Sequence, residues 1–229
     1  MPAIFLRNRA GHLVERMDLP DCDPVKLLKT YRQFKTINYL LSGWGRIYSK
    51  YLKPALQEGA ETVLDIGCGG GDISRMICKL ASRDGFNVRI TAMDTDERAL
   101  AYMRSTPLSE DVTVSSVSVE DFLASRQQFD IVLSNNVLHH IPENELPGFM
   151  DNSRKLAQRL VIHSDIRRDD LAYVVFLGSH LFFRGSFIAE DGLTSIRKSY
   201  RMRELRRLLS SDWDVHMMAL YRNLCIWKP

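Results

Sequence analysis

The stretch VLDIGCGGGD, residues 63–72, limits the folds open to this chain more than any other part of it. A β-rich run, Thr62-Val63-Leu64-Asp65-Ile66, stops at Gly67-Cys68-Gly69-Gly70-Gly71. A helical pattern with Ile73, Met76, Ile77 and Leu80 on one face follows, with Asp72 predicted as its cap. Glycines without a Cβ let backbone approach a ligand closely, and amides at a helix start favour an anionic group. The dinucleotide fingerprint GxGxxG, counted from Gly67, requires glycine where Asp72 stands, and the frame from Gly69 fails at Ser74. No GK[ST] follows, which excludes a triphosphate-binding loop. A D-x-G-x-G-x-G loop remains, made of Asp65, Gly67, Gly69 and Gly71, with a purely structural turn as the plain alternative.

The rest of the chain alternates between strand and helix. Residues 24–55 read as helical with a break at Ser42-Gly43. Strands are predicted over 87–93, 112–117, 130–134 and 159–163, with helices over 96–104 and 142–158, where Pro147 is a potential break. Such alternation gives a mostly parallel sheet covered on both faces. Beyond residue 165 come an apolar helix over 169–183, a turn at Asp191-Gly192 and a basic helix over 201–210. Two strand-like runs, 214–220 and 223–227, close the chain with only Tyr221-Arg222 between them. That link is too short for a parallel crossover, so this pair should be antiparallel.

With its D-x-G-x-G-x-G loop, the chain resembles the class I, Rossmann-like SAM-dependent methyltransferases over most of residues 60–165. The resemblance implies an α/β fold with a seven-stranded, mostly parallel sheet, a reversed last strand and helices on both faces. It also implies a helical N-terminal lid over 1–58 and a SAM-binding core over 59–229 that includes a substrate cap over 167–200. The cofactor would be S-adenosyl-L-methionine and the product S-adenosyl-L-homocysteine. Asp65 would position the cofactor's amino end, with Gly67, Cys68, Gly69 and Gly71 beside its methionine and ribose. Asp94 ends the second strand in ITAMDTDERAL, where a carboxylate accepts hydrogen bonds from vicinal ribose hydroxyls, next to Thr95. Asp94 could instead cap the next helix, although Asp96 is better placed for that. Ser118 and Val119 are expected at the adenine, and Asn135 at the methionine end. Ser134-Asn135-Asn136-Val137 stands where enzymes that methylate amide or exocyclic nitrogen carry an NPPY-type tetrad.

Methyl transfer from a sulfonium depends chiefly on positioning the acceptor, and a general base helps when that acceptor is a hydroxyl. The LHH run after the fourth strand offers His139 and His140, and the resemblance puts His139 first as base or orienting group. A histidine that is merely hydrogen-bonded in the loop is the plain alternative. His180 and Asp191 are outlying candidates, and no metal-ligand spacing is present, so no metal is expected.

The apolar helix over 169–183 has apolar residues on almost every side, which suits a pocket wall, and hence an apolar or aromatic small-molecule acceptor. A homodimer contact or additional core would explain it equally. DIRRDDLAY and DGLTSIRKSYRMREL resemble a bacterial subgroup associated with small aromatic or polyketide-like metabolites of secondary metabolism. Methylation at oxygen is favoured over carbon or nitrogen. An RNA methyltransferase using the basic segment 197–207 is the competing enzyme reading, and a non-catalytic SAM-binding protein is the third. A net charge of only +3 and thin aromatic interleaving disfavour nucleic acid. The chain opens with an apolar run far too short for a signal-peptide core, and no integral membrane segment is expected. Cys22, Cys68, Cys78 and Cys225 form no CxxC pair and suit a reducing cytoplasm.

Overall fold

The computed structural model describes residues 5–229. Most of the short apolar run at the start of the chain, and the first residues of the lid expected over 1–58, lie outside them. An N-terminal segment without strand or long helix leads to α1 (Pro24–Leu41). Asp23 caps α1 by accepting from the amides of Val25 and Lys26, and Pro24 suits its first turn. The expected break falls at Gly43, whose φ of 72° suits glycine. Beyond it α2 (Trp44–Ile47), a π-helical turn (Tyr48–Leu52) and α3 (Lys53–Gln57) follow one another without a gap.

The core then alternates as β1 (Thr62–Ile66), α4 (Asp72–Arg83), β2 (Arg89–Met93), α5 (Glu97–Arg104), β3 (Val112–Ser115), α6 (Val119–Ala124) and β4 (Phe129–Asn135). A 3-10 turn (Leu138–His140), α7 (Leu146–Leu156) and β5 (Ala157–Ile166) continue it. After β5 come α8 (Asp170–Leu177), a 3-10 turn (Gly178–Leu181), α9 (Ile188–Lys198) and α10 (Met202–Leu208). The hairpin of β6 (Asp214–Met218) and β7 (Arg222–Trp227) ends the fold. The sheet order is β3-β2-β1-β4-β5-β7-β6, with β7 antiparallel to both its neighbours and the other pairings parallel. The expected seven-stranded sheet with a reversed last strand is therefore present.

Alternate strand residues feed two cores. Val63, Ile131, Leu133 and Ile162 pack under α2–α5, whereas Leu64, Val132 and Val161 pack under α6, α7 and α10. Both sides of every inner strand are thus apolar, as a sheet covered on both faces requires.

Several local expectations need correction. Asp72 is not the cap of α4: Gly71 holds that place at φ 73°, and the Asp72 carboxylate accepts from Asn38 Nδ2 at 2.5 Å. Pro147 does not break a helix, because it sits in the first turn of α7, where no amide is required. Asp191-Gly192 is no turn but lies inside α9. A Cβ on Gly192 would stand 2.1 Å from Phe176 Cε1, so this glycine is there to let α8 approach α9. Ala219–Tyr221 joins β6 to β7, since Arg222 already pairs with Met218.

Candidate active site

β1, β2, β4 and β5 all end at the same edge of the sheet, and the direction of strand succession reverses between β1 and β4. That edge, at the reversal, is where open α/β sheets bind ligands. A cavity of about 570 Å³ lies there. Its walls come from the loop after β1, the ends of β2, β4 and β5, α1, α8, α9 and the β6–β7 connection.

Local backbone explains the loop. Gly67, Gly69 and Gly71 all have positive φ, a region that other L-residues enter at a cost. Space adds a second requirement at two of them: a Cβ on Gly67 would meet Val137 Cγ2 at 2.6 Å, and one on Gly71 would meet Met103 Cε at 2.5 Å. At Gly69 nothing lies within 4 Å of the Cβ position, so the loop leaves free space on the cavity side.

This end of the cavity is acidic. Asp94 accepts from the Gly69 amide at 2.8 Å and from the Asp96 amide at 2.9 Å, which fixes its carboxylate beside the loop. Asp96 caps α5, as its spacing indicated. Asp65 is buried and accepts from Ser74 Oγ at 2.6 Å. Burial pushes the Asp65 pKa up to about 7, and the charges of Asp72 and Asp94 add to the rise. Burial likewise raises Asp72 and Asp94. Three carboxylates crowd one cavity end, which makes it a place for a cationic ligand group.

The cavity lining holds a second set of buried charges. His139 is buried, with Nδ1 2.7 Å from Asp165 Oδ1 and Nε2 3.1 Å from Glu15 Oε1; its amide donates to Asp165 Oδ2 at 2.8 Å. Burial alone would lower its pKa, but the charge and hydrogen bond of Asp165, joined by those of Glu15, raise it to about 9. Glu15 is held down to about 2: burial opposes this, and the His139 hydrogen bond with the charges of His139, His140 and Lys198 overcomes it. Ser195 Oγ also donates to Glu15 at 2.8 Å, and Lys198 Nζ stands 3.6 Å away. His139 is thus a clamped imidazolium at neutral pH with both nitrogens taken, and the role of base expected for it does not fit this geometry. His140 is less enclosed: Nδ1 is flanked by Lys198 Nζ at 3.2 Å and Asp18 Oδ2 at 3.4 Å, while Nε2 is 3.7 Å from Glu15.

Donor atoms of Glu15, His139 and His140 lie within 4.8 Å of one another, a grouping the sequence spacing did not reveal. The Lys198 ammonium already supplies positive charge there, so the cluster is balanced without a metal ion.

Asn135 also lines the cavity. Its Oδ1 accepts from Trp44 Nε1 at 2.9 Å and from Arg222 Nη2 at 2.7 Å, and Arg222 also donates to Asn136 Oδ1 at 2.8 Å. Burial lowers the Arg222 pKa to about 10. Asn136 itself has φ 59°, backbone strain placed at the cavity wall.

Of the residues singled out from sequence, Asp65, Gly67, Cys68, Gly69, Asp94, Thr95, Asn135, His139, His140 and Asp191 line this cavity. Gly71 lies behind it, packed on Met103. Ser118 and Val119 are not brought to it: Ser118 caps α6 through the Asp121 amide, and Val119 is in the core. His180 is also outside the lining, with Nδ1 3.3 Å from Leu177 O. Glu15, Asp18, Asn38, Ser42, Ser195 and Arg222 are polar lining residues that the sequence reading did not single out for the site. Nothing local marks Glu15; Arg222 was recorded only as part of a hairpin link.

Residues 63–159 match the family model described as "Methyltransferase domain". The ubiquinone biosynthesis O-methyltransferase of Glaesserella parasuis is 28% identical over 160 residues, covering 66% of this chain and 63% of that protein. The mitochondrial enzyme of the same name from Candida albicans is 24% identical over 159 residues, covering 69% of this chain and 47% of that one. The chain thus spans about half to two thirds of the length of these relatives. Among solved structures, the plantazolicin methyltransferase BpumL in complex with SAH shares the fold at a TM-score of 0.69 and 13% identity, covering 93% of this chain and 92% of that one. Residues 63–159 thus match a methyltransferase domain in sequence, and the chain shares its fold with a methyltransferase solved with SAH.

Proposed function

We propose that this chain transfers a methyl group from S-adenosyl-L-methionine to a small apolar or aromatic acceptor, at oxygen, releasing S-adenosyl-L-homocysteine. The observation that carries this reading is one cavity lined both by an acidic glycine loop and by apolar residues of α1, α8 and the last hairpin. The cofactor fits the glycine-loop side. Open space over Gly69 admits its backbone-hugging portion, the crowded carboxylates suit its ammonium and sulfonium, and the Asp94 carboxylate suits vicinal hydroxyls. In this reading Asp65, Gly67, Cys68, Gly69, Asp94, Thr95 and Asn135 hold it. Ser118 and Val119 are dropped from that set because they do not reach the cavity. Bound there, the cofactor supplies a methyl group already activated on sulfur.

The protein's own contribution is positioning and proton removal. As the acceptor oxygen bonds to the methyl carbon, the carbon–sulfur bond breaks and the hydroxyl proton must leave. His140 Nε2 is assigned to receive it, because that nitrogen has no partner within hydrogen-bond distance, whereas both His139 nitrogens do. His139 acts as a positioning residue, tying the Glu15 segment to the end of β5. Residues 5–58 serve as lid, and 167–200 as cap, because α1, α8 and α9 all wall the cavity. All four cysteines are free, which suits a reducing cytoplasm, and no described helix is long and apolar enough to cross a membrane.

The first experiment is calorimetric titration with S-adenosylmethionine, S-adenosylhomocysteine and NAD, followed by methyl-transfer assays on simple phenols. Micromolar binding of the first two without NAD, and a methyl ether product, are expected. Binding of NAD alone would overturn the proposal. Binding without turnover of any acceptor would leave a non-catalytic SAM-binding protein.

A further inference from the structure

The apolar wall of the cavity does not stop at its rim. Leu41 at the end of α1, Val175 on α8 and Leu220 in the β6–β7 connection all line the cavity. The same residues are 44%, 64% and 51% exposed. Three separate elements therefore each place an apolar residue on the cavity lining and in water at once, at its rim.

From that rim an apolar track runs on along α8. Leu171, Val174 and Val175 stand at i, i+3 and i+4, on one helix face. All three are more than half exposed, and Leu181 and Phe182 beyond the helix are more so, at 69% and 79%. Ala172, on the opposite side of α8, is buried, so the helix is anchored and its outward apolar stripe is additional to core packing. Exposed apolar area gathered on one element marks a binding surface more often than scattered single residues do.

Backbone strain at the rim is an independent sign. Leu220 and Tyr221 have φ of 60° and 55°, a region where connections normally carry glycine or asparagine. Each such residue costs on the order of a kilocalorie per mole relative to glycine. Both residues line the cavity, and Tyr221 also packs against Arg167.

We infer that the acceptor is amphiphilic, with its methylated head beside His140 and a hydrocarbon chain that leaves the cavity between Leu41, Val175 and Leu220 to lie along α8. This rests on the proposed small-molecule methyl transfer and specifies its substrate class. A compact aromatic acceptor accounts for the inner wall but not for its continuation into water. A second copy of the chain on the α8 stripe accounts for Leu171 and Val174 but not for the strained Leu220 on the cavity lining.

The test is a chain-length series. 4-Alkylphenols from methyl to octyl are titrated into the protein saturated with S-adenosylhomocysteine, below their aggregation concentrations, and each is also assayed for methylation. Affinity is expected to rise by up to about fourfold per added methylene, the factor that burial of one such group gives. In the double variant Leu171→Lys with Val174→Lys, the methyl end of the series should bind as in the wild type while the gain with length is reduced. Both positions are exposed, so the fold should tolerate the changes. A flat series in the wild type overturns the inference. So does an undiminished slope in the double variant, or a wild-type dimer that the double variant dissociates. Length-dependent binding with no methylation of any member would keep the chain-binding track and remove the proposed reaction. Methylation with a flat length dependence would do the reverse.

Discussion

Glu15 shows what a single buried charge does in this molecule. It meets His139, His140, Lys198 and Ser195 from a segment that precedes all of them by more than a hundred residues. Glu15→Gln removes the counter-charge that His139 and Lys198 share, and breaking such a buried pair costs about 3–5 kcal/mol, readable as a lower urea midpoint. The pH dependence has a definite sign. The His139 pKa is raised in the folded state to about 9, so its contribution is full below about 6.5 and is lost as pH rises through 9. Glu15 is depressed to about 2, so its contribution holds above about 4.5 and is lost as pH falls towards 2. Thermal melts of the wild type should therefore decline between pH 6.5 and 9, and Glu15→Gln should begin that decline at lower pH; an unchanged alkaline limb would refute the clamp. Beside the glycine loop, Asp94→Ala should weaken S-adenosylhomocysteine binding by about tenfold or more, the worth of a hydrogen-bonded charge, with calorimetry as the check. Asp65, Asp94 and the glycines were legible because strand, loop and helix fix their spacing. Glu15 was not, since nothing in HLVERMD is periodic and its partners are assembled only by the tertiary fold.

At the scale of elements, the strands and most helices followed from periodicity, and the errors came where a residue answered to a neighbour in space. Asp191-Gly192 has the chemistry of a turn, yet Gly192 is helical because the Phe176 ring of α8 occupies the place of its Cβ, and Asp191 accepts from the amides of Arg16 and Met17. Gly192→Ala should lower stability by about 1–3 kcal/mol through overpacking. Gly148→Ala, in α7 with open space around it, should be neutral or stabilising by up to about 1 kcal/mol. Paired melting curves decide between this account and intrinsic helix propensity, which would make both changes stabilising. The ends of α4 and α7 show the same lesson in smaller form. Gly71 displaced Asp72 as cap because Met103 fills the space beside it, and Pro147 was tolerated because the first turn needs no amide there.

For the whole molecule, the reversal of strand succession between β1 and β4 gathers loops from distant parts of the chain at one edge, which is why one cavity meets residues from 15 to 222. The basic segment 197–207 is partly engaged within the molecule. Lys198 is buried by Glu15 and His140, Arg206 donates to Val215 O, and Arg207 pairs with Glu143. Arg197 and Arg203 are exposed as well, and Arg206 and Arg207 keep their exposure despite those partners. RNA binding followed by fluorescence anisotropy at physiological salt should be weak; tight binding that falls steeply with added salt would restore the RNA reading. The charge run was plain in the sequence, but the burial of Lys198 was not, because composition does not say which way a side chain points.

The N-terminal segment is gripped mostly by its main chain. Arg168 donates to the carbonyls of Leu6 and Arg7, Arg98 to those of Met17 and Leu19, and Asp191 receives the amides of Arg16 and Met17. Backbone atoms are common to every amino acid, so this path across the cavity places few demands on the letters that compose it. Descendants of this gene are free to rewrite most of that stretch and keep its course, provided the anchors in the core, Arg9 and the acid at position 15 persist. Pocket variety would then arise by drift along a fixed thread, without any loop having to be remodelled.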